Sequence, residues 1–209
     1  EVNYVPLSAL NGDNVVNTST QTPWYKGDTF INILENIKIN RNKKDIGFRL
    51  PVQYVNRPNL NFRGFSGTVA AGHISVGDKV TALPSGKQSV VKSVITPAGE
   101  EDVAIAGEAV TITLQDEIDI SRGDMIVNGQ MPIMSKIFSA EVVWMNEQSL
   151  AINKEYMFKV GPKVTFGRII SIEHRVDVNS MEKIMVSELA LNEVGKVVIE
   201  LNAPVTFDA

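Results

Sequence analysis

Cysteine is absent from this 209-residue sequence, and histidine occurs only twice, at His73 and His174. Without cysteine the chain can form neither a disulfide framework nor a thiolate metal site, and it has no cysteine nucleophile. The two histidines are far apart and belong to no ligand-spaced cluster. No apolar run approaches the ~20 residues that a membrane helix needs, and no signal peptide is visible. These absences favour a globular, cytoplasmic protein with no membrane partner.

Charge of one sign does not dominate either. The chain carries 20 basic and 24 acidic residues, for a formal net charge of −4. A dedicated nucleic-acid binder would usually be basic, so the balance argues against a nucleic-acid partner. The 44% hydrophobic and 21% charged content is ordinary for a folded protein. The length predicts one or two domains that can each bury a core.

Residues 1–46 form the first of three blocks, with a strand-like start, a polar loop and one helix. Four apolar residues follow the helical spacing i, i+3, i+4 and i+7: Phe30, Ile33, Leu34 and Ile37. Asp28 or Thr29 stands where an N-cap is needed. The pattern predicts an amphipathic helix over about 28–39.

Residues 47–131, the second block, have the pattern of a β structure. Apolar and polar residues alternate from Phe48 to Tyr54, with Arg49 on the polar side, which indicates a half-buried strand. Pro51, inside this run, suggests an edge position or a bulge. Glycines fall where the chain must turn or let another strand come close: Gly64, Gly67, Gly72 and Gly77. Short strands with frequent turns favour a closed barrel or a sandwich.

The third block, residues 132–209, has the same alternation of apolar and polar residues that is typical of β-strands. One parity of its central strand is apolar: Val164, Phe166, Ile170, Ile172, Val176 and Val178. We therefore expect this parity to face the core. His174 lies on the same parity and is interpreted as a core or interface histidine. The fold class predicted is mainly β, with two tandem antiparallel β-barrels behind a short strand and helix.

Two strings resemble nucleotide-binding motifs without their context. Asn42–Asp45 matches the N-K-x-D element that reads guanine, but it lies in a polar stretch with no apolar strand ahead of it. Gly86 and Lys87 lack the glycine and the hydroxyl residue that a phosphate-binding loop requires around them. We interpret the first as a solvated linker and the second as a hairpin turn. The sequence shows no complete catalytic constellation.

Several longer strings carry a family resemblance over nearly the whole chain. They are Pro6–Val15, Pro23–Tyr25, Phe48–Pro58, Phe62–Phe65, Ile118–Asp124, Val142–Met145 and His174–Asn179. With them the chain resembles the large, GTP-binding subunit of bacterial sulfate adenylyltransferase, a family related to elongation factor Tu. In that family a GTPase domain precedes two β-barrels, and a small subunit carries the adenylyl-transfer site.

The resemblance implies both a function and its limits. Ser8, Ala9 and Leu10 would be a residual guanine-contacting motif, and residues 1–46 would be the remnant of a GTPase domain. The expected partners are the small adenylyl-transferring subunit and the chain's own GTPase domain. The phosphate-binding loop, the switch segments and the true N-K-x-D element are not in the sequence. We therefore expect no cofactor here, with GTP and magnesium bound only by a full-length subunit.

Two other functions remain open at this stage. The barrels could bind tRNA or the ribosome as part of a translation GTPase, which predicts salt-sensitive RNA binding. They could also form a free-standing adaptor. The sequence does not say whether an adenylylsulfate kinase is fused to the full-length protein, whether the Asn40–Asp45 linker is a hinge, or which barrel face meets a partner.

Overall fold

The computed structural model describes residues 4–37, 47–59 and 61–208. It is mainly β, as predicted, and divides into two compact units, Glu1–Lys43 and Lys44–Ala209. The predicted linker at Asn40–Asp45, with its N-K-x-D string, lies outside the described residues. No helix in the described part of the chain combines the length and the apolar character needed to cross a membrane.

The first unit contains one helix, α1, at Phe30–Asn36. Thr29 caps it, because its Oγ1 accepts a hydrogen bond from Asn32 N at 3.3 Å. Ile37 takes an extended conformation and ends it. The predicted helix therefore exists, but it is shorter at both ends than the predicted 28–39.

Ten strands of the second unit lie before residue 129. They are β1 Phe48–Pro51, β2 Tyr54–Asn59, β3 Phe62–Thr68, β4 His73–Ser75, β5 Lys79–Leu83, β6 Lys87–Thr96, β7 Gly99–Glu101, β8 Val103–Ile105, β9 Ala109–Leu114 and β10 Met125–Asn128. Eight of them form one antiparallel sheet in the order β1-β10-β5-β6-β9-β3-β2, with β7 beside β6, and β4 pairs with β8. Between β1 and β2, Gln53 N donates to Ser66 O of β3 at 2.9 Å, which holds the chain that follows β1 against β3. We call this the first barrel.

The core of the first barrel is filled by apolar side chains from almost every strand. Its largest fully buried members are Phe48, Phe65, Leu50, Ile74, Ile112 and Ile126. Pro51 is the last residue of β1, which pairs with β10 on one side and bonds to Ala71 through Arg49 on the other, so the predicted edge position or bulge stays a prediction. The burial predicted from the alternation of apolar and polar residues is wrong at two positions. Arg49 is buried, at 2% exposure, and Tyr54 is 62% exposed. Arg49 is buried because it has partners that the alternation pattern does not show.

Two glycines explain how the first barrel closes. A Cβ on Gly67 would lie 2.4 Å from Pro51 O, so β3 can approach β1 only without a side chain there. Gly72 has φ +68°, and a Cβ there would lie 2.5 Å from the carbonyl carbon and oxygen of Gly47. The prediction that these glycines serve close approach and turning is confirmed.

The remaining strands form a second antiparallel sheet. They are β11 Ile133–Val143, β12 Glu155–Val160, β13 Lys163–Val176, β14 Lys183–Ile184 and β15 Val194–Phe207. Their order is β11-β15-β13-β12, with β14 beside β13. We call this sheet and its core the second barrel; the core consists of Leu150, Ile169, Leu189, Val197, Ile199, Leu201 and Val205. The two sheets share no strand among the described residues, and the domain boundaries at 46/47 and 131/132 stay a prediction.

The apolar parity of β13 does not face the core along the whole strand. Val164 and Phe166 are exposed, while Thr165 and Ile169, on the other parity, are buried. The register of β13 against β15 shifts between Ile169 and Ser171 and again between Ile172 and His174. A bulge moves the following residues to the opposite face of a sheet. The expectation for Val164 and Phe166 was therefore wrong.

Candidate functional site

Ser8, Ala9 and Leu10 form one side of a tight loop in the first unit. Ser8 O accepts from Gly12 N at 2.8 Å, and Ser8 N donates to Asp13 O at 3.2 Å. Leu10 is 94% exposed. The loop therefore presents its residues to the outside. Their guanine-contacting role stays a prediction.

Asn14 holds this loop in place. It is buried at φ 54°, and its Nδ2 donates to Pro6 O at 2.7 Å and to Thr22 Oγ1 at 2.8 Å. Its Oδ1 accepts from Ser19 N at 2.7 Å. Asparagine tolerates this left-handed conformation better than most residues. The side chain of Asn14 thus connects three parts of the loop.

The first unit exposes much of its apolar surface. None of the residues of α1 is buried. The helix nevertheless has the apolar stripe that normally packs against a core. Exposed large apolar residues in this unit are Tyr4, Leu7, Leu10, Val16, Trp24, Phe30, Leu34 and Ile37. So much exposed apolar surface is typical of a docking surface.

The described residues contain no cluster of histidine, aspartate or glutamate that could hold a metal ion. His174 is half-buried rather than part of the core, and His73 is exposed. Gly86 has φ 73° in the turn before β6, as expected for a hairpin turn.

The side chain of Arg49 connects the two barrels. From β1 its Nε and Nη2 contact both carboxylate oxygens of Asp208, at 3.0 and 2.9 Å. Its Nη2 also donates to Gln130 O at 2.6 Å and its Nη1 to Phe48 O at 3.1 Å. A planar guanidinium suits such a two-pronged contact. Since Asp208 directly follows β15, one buried side chain ties the first barrel to the end of the second.

The outer side of β12 and β13 carries three exposed apolar residues, Met157, Val164 and Phe166, which we call the apolar face. Met157 lies directly opposite Phe166 in the register. A polar depression of about 640 Å³ adjoins it, lined in part by Lys136, Glu155, Arg168 and Glu200. Arg168 and Glu200 form an ion pair at 2.7 Å.

Three carboxylates at one end of the second barrel have lowered pKa values. Hydrogen bonds from Ser139 and Lys196 lower the pKa of Glu173. Backbone N–H groups, led by that of Ser180, lower the pKa of Asp177. The backbone N–H of Ala190, followed by the Arg175 guanidinium, lowers the pKa of Glu193. Each bond stabilises the charged form of the carboxylate.

These shifts predict that the second barrel loses stability in acid. A carboxylate with a lowered folded-state pKa stabilises the fold above its ordinary pKa, 4.5 for glutamate, and that contribution disappears as the pH falls through the lower folded-state pKa. We expect the stability of the Glu193→Gln variant to vary less than that of the parent chain between about pH 5 and 3. Urea unfolding at several pH values measures this.

Trp144 reports on this barrel, because its Nε1 donates to Gln148 O at 2.7 Å and its ring meets Tyr156 edge-on. A Trp24→Phe background makes Trp144 the sole tryptophan. Glu147→Gln, at an exposed loop position, serves as the control and should keep the parental pH dependence. Equal pH dependence in Glu193→Gln and the parent would contradict the assignment.

Comparison with known proteins decides the family. Residues 137–209 match the family model described as GTP-eEF1A C-terminal domain-like. Sulfate adenylyltransferase subunit 1 of Teredinibacter turnerae is 54% identical over 210 residues, covering all of this chain and 45% of that protein. The same subunit of Psychromonas ingrahamii is 53% identical, covering all of this chain and 44% of that protein. The chain is a homologue of sulfate adenylyltransferase subunit 1. The suspected resemblance is confirmed.

The subunit 1 homologue spans less than half the length of the curated relatives it matches. Those relatives are named as one subunit of an enzyme, so they belong to a multi-subunit assembly. Among solved structures, Sup35 complexed with GDP matches 99% of this chain and 52% of its own, with a TM-score of 0.73 at 19% identity. Elongation factor SelB of Methanococcus maripaludis in its apo form matches 85% of this chain and 40% of its own, with a TM-score of 0.64 at 20% identity. These likenesses show the fold alone.

Sequence reasoning singled out Ser8–Leu10, whose guanine-contacting role stays a prediction, and did not foresee three structural features. Arg49 was assigned to the polar side of a strand, and no local signal links it to Asp208. Val164 and Phe166, two of the three residues of the apolar face, were assigned to the core. Asn14 could have been singled out, because asparagine is enriched at left-handed positions in tight loops.

Proposed function

We propose that this chain is the non-catalytic barrel portion of the GTPase subunit of a cytoplasmic sulfate adenylyltransferase. That enzyme joins ATP and sulfate into adenosine 5′-phosphosulfate and pyrophosphate, coupled to GTP hydrolysis. The observation that carries the proposal is the 54% identity to a subunit 1 protein over the whole chain. In this role the barrels hold the small adenylyl-transferring subunit and a GTPase domain.

The site geometry supports a holding role in two ways. The apolar surface of the first unit, with no buried residue in α1, suits packing against the remainder of a GTPase domain. The Arg49–Asp208 ion pair links the first barrel to the end of the second. Ser8, Ala9 and Leu10 would contact guanine in the full-length subunit. Alone they supply no phosphate or magnesium site, so the chain should bind no GTP.

The proposal is tested by titrating the 209-residue chain into the small subunit of the same enzyme. We expect a one-to-one complex, with no adenosine 5′-phosphosulfate formed by the chain alone and no heat from titration with GTP and magnesium. A full-length subunit 1 is the positive control for all three measurements. Absence of a complex under conditions where the full-length protein binds would overturn the holding role. Micromolar affinity for GTP would overturn the assignment of the loop.

The second candidate is a translation function, in which the barrels bind tRNA or the ribosome. It is favoured only by the fold shared with Sup35 and SelB. The net charge of −4 speaks against it, because RNA binding draws on basic side chains that neutralise phosphates. Filter binding of labelled tRNA at low salt, repeated at high salt, separates the two candidates. Salt-sensitive retention of tRNA by the chain would favour the translation function.

A further inference from the structure

We propose that Met145, Met181 and Met185, at one end of the second barrel, form a site of reversible methionine oxidation by hydroperoxides. They are the three most exposed methionines in the described part of the chain, at 79%, 72% and 80% exposure. The sequence has no cysteine, so the thioethers of its seven methionines are its only sulfur atoms. A hydroperoxide therefore reacts with sulfur at methionine alone, and exposure decides which methionine reacts first.

The register of the second sheet brings the three methionines to the same end of the barrel. The last residue of β11 and the last residue of β13 both lie opposite Val194 of β15. Met145 follows β11 by two positions. The segment after β13 turns at Met181, whose N–H donates to Asp177 O at 2.7 Å. Met185 directly follows β14, which pairs with the last two residues of β13. We call these three residues the methionine end.

The surroundings of the methionine end are apolar as well. Val143, Val178 and Leu191, which lie within three positions of the ends of β11, β13 and β15, are all exposed. Oxidation converts the apolar thioether of methionine into a polar sulfoxide. The oxidation state of the three sulfur atoms therefore sets how polar this end of the barrel is.

The packing of the barrels allows this change without loss of the fold. Neither hydrophobic core in the described residues contains a methionine. A sulfoxide disrupts a protein when it forms inside a core, so oxidation at the methionine end should leave both cores intact. Met125 has a different environment, because it is half-buried in β10 between β1 and β5. We expect Met125 to react more slowly than the exposed methionines.

The reaction balances with hydrogen peroxide as the only co-reactant. A lone pair of the methionine sulfur attacks one peroxide oxygen, so that a sulfur–oxygen bond forms while the oxygen–oxygen bond breaks. The proton on the transferred oxygen passes to the departing hydroxide, and the products are one sulfoxide and one water. The sulfur is oxidised and the peroxide is reduced. Sulfoxide reductases, one for each epimer, reverse the change with electrons from a dithiol.

The experiment treats the folded 209-residue chain with hydrogen peroxide and maps the added oxygen by mass spectrometry. Trypsin cleavage at Lys154, Arg175 and Lys183 places each residue of the methionine end in its own peptide, with no second methionine. We expect these three peptides to gain oxygen several-fold faster than Met125 does. Retention of the chain on a hydrophobic-interaction column should fall, and reductases with a dithiol should restore it. Circular dichroism should stay unchanged throughout.

A triple variant tests whether the methionine end causes the change in retention. Leucine has nearly the volume of methionine and no sulfur, so Met145→Leu/Met181→Leu/Met185→Leu should keep its retention after peroxide treatment.

The matched control, Met131→Leu/Met134→Leu/Met157→Leu, replaces the other three exposed methionines and should respond to peroxide as the parent does. An equal fall in retention in the first triple variant and the parent would overturn the proposal. So would oxidation of Met125 as fast as that of the methionine end, a loss of circular dichroism on oxidation, or a fall in retention that the reductases do not reverse.

Discussion

Replacing Asp208 by alanine is expected to lower the free energy of unfolding of the chain by about 3 kcal/mol. Arg49 is only 2% exposed, and Asp208 is the only carboxylate that it pairs with among the described residues. Removal of that carboxylate leaves a buried guanidinium charge without a counter-charge, and such a change costs far more than the loss of an exposed pair. Urea unfolding followed by circular dichroism measures the effect.

The chain offers a matched control in a second arginine–aspartate pair. Arg63 contacts Asp119 at 3.3 Å, with Asp119 90% exposed. Exposed pairs contribute between about 0 and 1 kcal/mol, so Asp119→Ala should change the free energy of unfolding little. An Arg49→Met/Asp208→Ala double variant should recover part of the loss, because the buried charge is then gone. Equal effects of Asp208→Ala and Asp119→Ala would show that the Arg49–Asp208 contact does not act as a buried charge pair.

Gly72→Ala is expected to destabilise the first barrel by about 3 kcal/mol, from a strained backbone and a steric clash together. Gly72 has φ +68°, a conformation that residues with a Cβ rarely adopt. The new methyl group would also lie 2.5 Å from the carbonyl carbon and oxygen of Gly47. Both atoms belong to the backbone, so relief requires movement of the strand that begins at Phe48. The free energy of unfolding from a urea titration is again the measurement.

Gly77→Ala separates the two contributions. Gly77 has φ +92°, but a Cβ there would meet no heavy atom within 4 Å. This variant should therefore cost only the backbone strain, about 1 kcal/mol. If Gly77→Ala lowered the free energy of unfolding as much as Gly72→Ala does, the contact with Gly47 would contribute nothing to the destabilisation.

Features with a local cause were predictable from the sequence. The apolar spacing and the cap at Thr29 predicted α1, because both the period and the cap lie within one stretch of chain. The glycines at 67 and 72 were predicted to allow turns or close approach. The alternating runs predicted strands, and the family resemblance supplied their arrangement as barrels.

Features set by distant contacts were not predictable. The burial of Arg49 depends on Asp208, which lies 159 positions away in the sequence. The outward direction of Val164 and Phe166 depends on bulges further along β13, where the register against β15 shifts. Alternation gives the two faces of a strand but does not say which face is inside once a bulge intervenes. Val164 and Phe166 were therefore predicted to be core residues although both are exposed.

The bond between Arg49 and Asp208 also bears on the order in which the protein matures. Translation proceeds from residue 49 toward residue 208, and domains generally fold as units, the N-terminal one first. The first barrel can thus reach its fold while Arg49 still lacks its carboxylate, and its side chain meets Asp208 only once β15 has left the ribosome. A nascent chain stalled before that strand would carry a first barrel whose Arg49 lacks its carboxylate partner.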